Sequence, residues 1–188
     1  MPQVRTFALD SDEYDSATLR SGNIFEKLIL GNIILPSAVV LNAGLIASSG
    51  GFDPNFRKAE DSEFFLRLSK HEIFSYLNLP LTGYRIGNGG LTSNKSDLLD
   101  HGMKALYKNC VADKQVYAKY QDTIDLAIAR RYGRMASVNL KKRNRLDAWA
   151  NIQKGLRYRF SEAELWKILI ASLIPYFILE RMVGAGKQ

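Results

Sequence analysis

The apolar positions change period several times along the chain. Residues 1–20 are polar and mixed, with no clear repeat. Residues 22–35, GNIFEKLILGNIIL, place Ile24, Leu28 and Ile29 on one side and predict a short helix broken near Gly31. Residues 37–41 are a short apolar run rich in β-branched side chains, which predicts a buried strand. Residues 42–49 suit one or two helical turns closed by Gly50-Gly51. A helix is predicted over 62–70, because Phe64, Phe65 and Leu68 recur at helical spacing. Residues 73–86 are aromatic and branched, with a break at Pro80, and predict two short strands or one kinked strand. GNGG at 87–90 reads as a loop.

From about residue 97 the pattern becomes helical and stays so. Helices are expected over 98–120, 122–140 and 146–158, with LKKRN at 140–144 as a turn. The pair 124–140 and 146–158 resembles one helical hairpin of a repeat protein, but no second copy is present. Ser161-Glu162-Ala163-Glu164 has the spacing of a capping box and predicts the start of a last helix. That helix, residues 165–179, is very apolar yet holds Lys167, Ser172 and Pro175. It is shorter than the about 20 apolar residues of a membrane span. Two readings fit it: a helix packed against the others, or one lying in a membrane surface with Trp166 and Tyr176 at headgroup level.

Composition narrows the classes. The 188 residues suit one domain of ordinary size, and 46% apolar with 24% charged is globular usage rather than disorder. A single cysteine, Cys110, excludes a disulfide framework and suits a reducing compartment as an unbridged core thiol. His71 and His101 have no partner at metal-ligand spacing, so exposed or capping roles are expected. The first fifteen residues carry acids and no apolar core, so no signal peptide is expected there. The net charge of +7 is concentrated: residues 130–159 hold ten Lys or Arg against one acid, Asp147. Such a segment attracts anionic lipid. Tyr132, Trp149 and Tyr158 are interleaved with the charges but fall at helical spacing, and no nucleic-acid motif accompanies them. No nucleic-acid partner is expected.

The acidic pair Glu60-Asp61 stands in front of the predicted helix. Acids there are stabilised by the unpaired N–H groups and the dipole of a helix start, which alone accounts for them. The glycine pair Gly50-Gly51 upstream would also let backbone approach a ligand, and Tyr84-Arg85 downstream would offer a cation. A carboxylate in that setting could act as a general base for a hydroxyl.

The order of motifs is more specific. Pro36-Ser37-Ala38-Val39-Val40, then Gly50-Gly51-Phe52-Asp53, then Glu60-Asp61 with Phe65-Leu66-Arg67-Leu68, then Pro80-Leu81 with Tyr84-Arg85, resembles the second half of family 2 glycosyltransferases, the inverting enzymes of GT-A type. The resemblance covers about residues 22–93. It implies that Asp61 deprotonates the acceptor hydroxyl and that Glu60 shapes the site or binds the acceptor. It further implies that Gly50, Gly51, Phe52 and Asp53 line the sugar pocket and that Arg85 lies near the diphosphate or braces the loop. It implies a nucleotide-sugar donor, a glycan or lipid-linked acceptor and a divalent metal, Mn or Mg, in the complete enzyme.

There are departures. Where many members carry a His after Tyr-Arg, this chain reads Ile86-Gly87-Asn88. The Gln-x-x-Arg-Trp motif of processive synthases is absent, so a polymerising enzyme is not expected. Only about 20 residues precede the part that resembles the family, whereas a nucleotide-binding half takes roughly 100. Asp10-Ser11-Asp12 reads as an Asp-x-Asp metal motif, but without a βαβ unit before it a polar turn is the better reading.

The expectation is therefore an α/β chain: residues 1–95 as the acceptor-side half of a GT-A-type domain, and 96–188 as a helical extension. A cytoplasmic glycosyltransferase or fragment of one is expected, with residues 130–183 as the candidate contact to the anionic inner face of a membrane. The alternative is a catalytically inactive remnant that binds a membrane or a partner through its helices.

Overall fold

A computed structural model describes residues 4–5, 19–79, 81–85 and 95–174. The chain forms two compact units, Met1–Asp113 and Lys114–Gln188.

In the first unit, β1 (Val4–Arg5) pairs antiparallel with β4 (Tyr84–Arg85), and β2 (Leu19–Gly22) pairs antiparallel with β3 (Phe74–Leu77). Between them run α1 (Phe25–Leu30), a 3₁₀ turn (Pro36–Ala38), α2 (Ala43–Ser49) and α3 (Glu60–Leu68). After β4 come α4 (Lys95–Leu106) and a π-helical turn (Tyr107–Val111). The core is Phe25, Leu28 and Ile29 of α1 against Phe64, Phe65, Leu66 and Leu68 of α3, with Met103, Ala105, Leu106 and Cys110 closing it. Local signals set the helix ends. The Asn42 side chain caps α2 by accepting from the Gly44 N–H at 2.8 Å. Gly50, at φ 82°, ends α2 in the left-handed conformation that glycine adopts without strain.

These elements correct the expected fold. The described residues build no half of a GT-A-type mixed sheet; they are mostly helical, and their strands form two separate two-stranded antiparallel ribbons. A mixed central sheet needs parallel neighbours joined by crossovers and both faces covered. Here β3 has Ser75, Tyr76 and Leu77 exposed. The strand expected over 37–41 is also absent. Pro36 starts a 3₁₀ turn, the run finds no ladder partner, and Val40 is 99% exposed.

The second unit packs three helices pairwise: α5 (Lys114–Lys141), α6 (Arg145–Tyr158) and α7 (Ala163–Leu173). The break expected near residue 121 is a kink inside α5, where Tyr120 leaves helical φ/ψ. The turn after α5 has Arg143 at φ 61°, with Arg143 N–H on the Leu140 carbonyl and Asn144 N–H on the Asn139 carbonyl, both at 2.9 Å. That is a Schellman ending with arginine in the usual glycine position. Ile124, Ala127, Ile128, Ala129 and Ala136 of α5, Ala148 and Ile152 of α6 and Leu165 of α7 are all buried, and Ala136, Ala148 and Ile152 form one cluster. Gly133 and Gly155 leave room for Leu165: a Cβ on Gly155 would lie 2.9 and 3.0 Å from its two methyl carbons. The capping box does not form, and this corrects the expectation. Glu162 is the N-cap residue, no side chain caps the helix, and Glu162 instead pairs with Arg130 at 3.4 Å. Helix α7 stops at Leu173 rather than running to 179; Ile174 is extended, as a residue before proline prefers. Pro175 and Tyr176 lie outside the described residues.

Candidate functional site

The acidic pair begins α3 rather than preceding it. Three acids, Glu60, Asp61 and Glu63, share its first turn, where the exposed N–H groups favour negative charge. Their fates differ. Asp61 is partly exposed. Its Oδ2 accepts from Asn32 Nδ2 at 3.0 Å, and its Oδ1 accepts from the Ser62 N–H at 2.7 Å and the Ser62 hydroxyl at 3.4 Å. Asn32 is itself fixed, because its Oδ1 accepts from the Ile34 N–H at 3.0 Å. Asp61 is thus held at the surface in one orientation. Glu60 is half-buried beside it.

Glu63 is fully buried and is the centre of a charge network that joins distant parts of the unit. Arg67, one turn along α3, reaches its carboxylate through Nε at 3.0 Å and Nη2 at 3.2 Å. Lys108 Nζ reaches it at 2.7 Å and Asn109 Nδ2 at 3.3 Å. Arg67 also donates to the Ser49 carbonyl and, at 2.6 Å, to the Gly51 carbonyl. Lys108 donates to Asp53 Oδ2 at 2.7 Å. The loop after α2 is therefore fastened to α3 at two points. Phe52, 53% exposed, completes the fastening by lying on Phe64 with ring centres 4.8 Å apart.

The electrostatics follow from that geometry. Burial pushes the Glu63 carboxyl up, but hydrogen bonds from Arg67, Lys108 and Asn109 outweigh it and leave its pKa below the ordinary value. The Lys108 hydrogen bond, then the Asn55 N–H, holds the Asp53 carboxyl down at about 2. Partial burial alone would lower the Lys108 pKa; its bonds to Asp53 and Glu63 win and raise it.

The network gives the predicted site residues two settings. Gly50, Gly51, Phe52 and Asp53 are brought together by Glu63, Arg67 and Lys108. Asp53 is engaged with Lys108 and Asn55. Gly51, at φ 65°, offers its carbonyl to Arg67. Asp61 is held by Asn32, six residues before Arg67 on α3, roughly 9 Å along the helix axis. Arg85 falls in β4 opposite Val4. Asp10 and Asp12 lie outside the described residues. Among the described residues no group of three or more His, Cys, Asp or Glu could hold the divalent metal that the resemblance implies. His101 is half-buried with its ring edge toward Phe56, His71 is exposed, and Cys110 is a buried thiol.

Sequence reasoning passed over Asn32, Glu63, Lys108 and Asn109. The Glu63–Arg67 pair had a signal, its four-residue spacing on a predicted helix. Lys108 and Asn109 had none, being 45 and 46 residues from Glu63.

No family model, curated protein or solved structure matches the chain. No helix among the described residues is long and apolar enough to cross a membrane.

Proposed function

We propose that the chain belongs to a glycosyltransferase acting on a nucleotide-sugar donor, with Asp61 as general base toward a glycan or lipid-linked acceptor. The observation that supports this reading is the pinned surface carboxylate of Asp61. It sits on the same helix that clamps the Gly50–Asp53 loop. A base must present a lone pair in a fixed direction to a hydroxyl arriving from solvent, and Asn32 and Ser62 orient Asp61 for that task. In the proposed step, Asp61 takes the hydroxyl proton as the acceptor oxygen bonds to the anomeric carbon. The bond from that carbon to the diphosphate breaks, and the nucleoside diphosphate leaves with the electron pair. Glu60, Gly50, Gly51 and Phe52 would border the reacting sugars, with Arg85 near the diphosphate. A reducing, cytoplasmic setting at the inner face of a membrane, where lipid-linked acceptors are presented, fits the single buried thiol.

The test is sugar transfer from a panel of nucleotide-sugar donors, with manganese and candidate acceptors, by the parent chain and by Asp61→Asn. The proposal expects transfer by the parent and a loss of about 10²-fold or more in the variant. Equal rates, or no transfer by the parent with any donor–acceptor pair, would overturn it.

A further inference from the structure

The second unit carries a surface that the proposed chemistry does not use. Six large apolar side chains of its described residues are exposed, and all of them belong to α6, α7 or the loop between: Leu146 (77%), Trp149 (38%), Phe160 (70%), Trp166 (36%), Ile170 (62%) and Leu173 (64%). The 28-residue helix α5 contributes none. An apolar stripe this concentrated marks a surface that something covers.

The stripe is built. Trp166, Ile170 and Leu173 recur at four- and three-residue spacing, which sets them on one side of α7. The opposite side is the packed one: Leu165 fits against Gly133 and Gly155, and Ile168 lies near Gly133 of α5. The exposed residues therefore fall on the flank away from α5. Trp149 of α6 is tied to α7, since its indole N–H donates to the buried Ser172 hydroxyl at 2.7 Å. Leu146 lies one turn before Trp149 on α6. Phe160 packs edge-on to Trp166, ring centres 5.1 Å apart, while the Trp166 N–H donates to the Phe160 carbonyl at 2.8 Å. Both indoles have their polar atom satisfied by the protein and their rings partly in solvent.

Charge selects the partner. Lys142 and Arg143 precede α6 at the Leu146 end, Arg157 continues the Leu146–Trp149–Gln153 face at helical spacing, and Lys167 stands beside Trp166; all four are exposed. Lys142, Arg143 and Arg157 belong to the segment 130–159 with ten basic residues and one acid, while Lys167 lies beyond it and pairs with Glu164 at 2.7 Å. A protein partner would have to be both apolar and strongly acidic. An anionic bilayer surface offers both in one place, acyl chains for the stripe and headgroup charge for its rim.

We infer that the α6–α7 face is a docking surface for an anionic lipid membrane, with Trp149, Trp166, Phe160, Ile170 and Leu173 entering the acyl boundary and Lys142, Arg143, Arg157 and Lys167 at the phosphates. This goes beyond the proposed transfer and rests on the second unit alone. Its test involves no sugar, so either reading can fail while the other stands.

The chain's two tryptophans both lie on this face, so its own fluorescence reports docking. The full chain is titrated with mixed phosphatidylcholine–phosphatidylglycerol vesicles and with pure phosphatidylcholine vesicles. The expected result is a blue shift and quenching by bromine-labelled lipid with the anionic vesicles, weakened by salt, and little change with the neutral ones. Ile170→Ser with Leu173→Ser leaves the charge unchanged and should weaken partition by about tenfold or more. Lys142→Gln with Arg157→Gln should reduce the salt dependence. All four positions are exposed, so the variants are expected to melt like the parent. Three results would overturn the inference: no binding to anionic vesicles at low salt, binding that leaves both indoles in water, or emission already blue without vesicles in a self-associated chain, which would make a second copy the occupant.

Discussion

Leu165 is the point on which the second unit closes, and its seat predicts a change of sign. The side chain is fully buried over Gly155 and Gly133. Leu165→Ala removes three carbons and leaves a hole that two glycines cannot fill, so it should cost about 3 kcal/mol. Gly155→Ala pulls two ways. Alanine inside a helix gains about 1 kcal/mol over glycine. Its Cβ, however, would lie 2.9 and 3.0 Å from the Leu165 methyls and 3.2 Å from Tyr132 Cβ. Overpacking of that kind costs about 1–3 kcal/mol, so the single variant should be less stable than the parent by about 1 kcal/mol. In the Leu165→Ala background the methyls are gone and the new Cβ enters vacated space. There only the 3.2 Å approach to Tyr132 Cβ remains, so Gly155→Ala should stabilise by about 0.5 kcal/mol, and the coupling between the two positions should be about 1.5 kcal/mol. Urea unfolding followed by tryptophan fluorescence reads this unit alone, because Trp149 and Trp166 both belong to it. If Gly155→Ala were equally stabilising in both backgrounds, Leu165 would not be seated against that glycine.

Other outcomes follow from the same reasoning. Glu63→Gln leaves Arg67 and Lys108 without their shared buried anion and should destabilise the first unit by about 3 kcal/mol, read as faster amide exchange in α3. Acid should act on the same network. The folded pKa of Asp53 lies at about 2 against an ordinary 3.8, and that of Glu63 also lies below its ordinary 4.5. Their contribution is therefore complete above about pH 4.5 and lost as pH falls toward 2. Asp53→Asn should flatten the lower part of that loss in urea midpoints measured by circular dichroism. Arg143→Gly should raise the stability of the second unit by about 1 kcal/mol, because glycine occupies the left-handed position without a Cβ penalty; an unchanged urea midpoint would count against strain there.

Elements with their own punctuation were legible in the sequence. Asn42 and Gly50 bracket α2, Gly31 ends α1, and Asn144 caps α6 by accepting from the Asp147 N–H at 3.2 Å. Elements that depend on distant partners were not. Residues 37–41 have strand composition, but a strand exists only where another offers its ladder, and none does among the described residues. Ser161 and Glu164 have capping-box spacing, yet Arg130, far back on α5, draws Glu162 away, and Lys167 takes Glu164 at 2.7 Å. The expected α/β architecture rested on a resemblance of motifs rather than on strand periodicity, and the strand signal was always short. At the site, the Gly50–Asp53 loop and the acids of α3 were visible as types and spacings. What holds them was not: Lys108 meets both Asp53 and Glu63 only through tertiary packing.

The claim that Asp61 is a working base is tested most directly by transfer rates of three proteins side by side: the parent, Asp61→Asn and Asn32→Ala. Asn32 holds the Asp61 carboxylate without being able to accept a proton itself. The account predicts about a hundredfold or greater loss of kcat in Asp61→Asn and a partial loss, about tenfold, in Asn32→Ala with its melting temperature retained. Transfer by Asp61→Asn at the parent rate would contradict it.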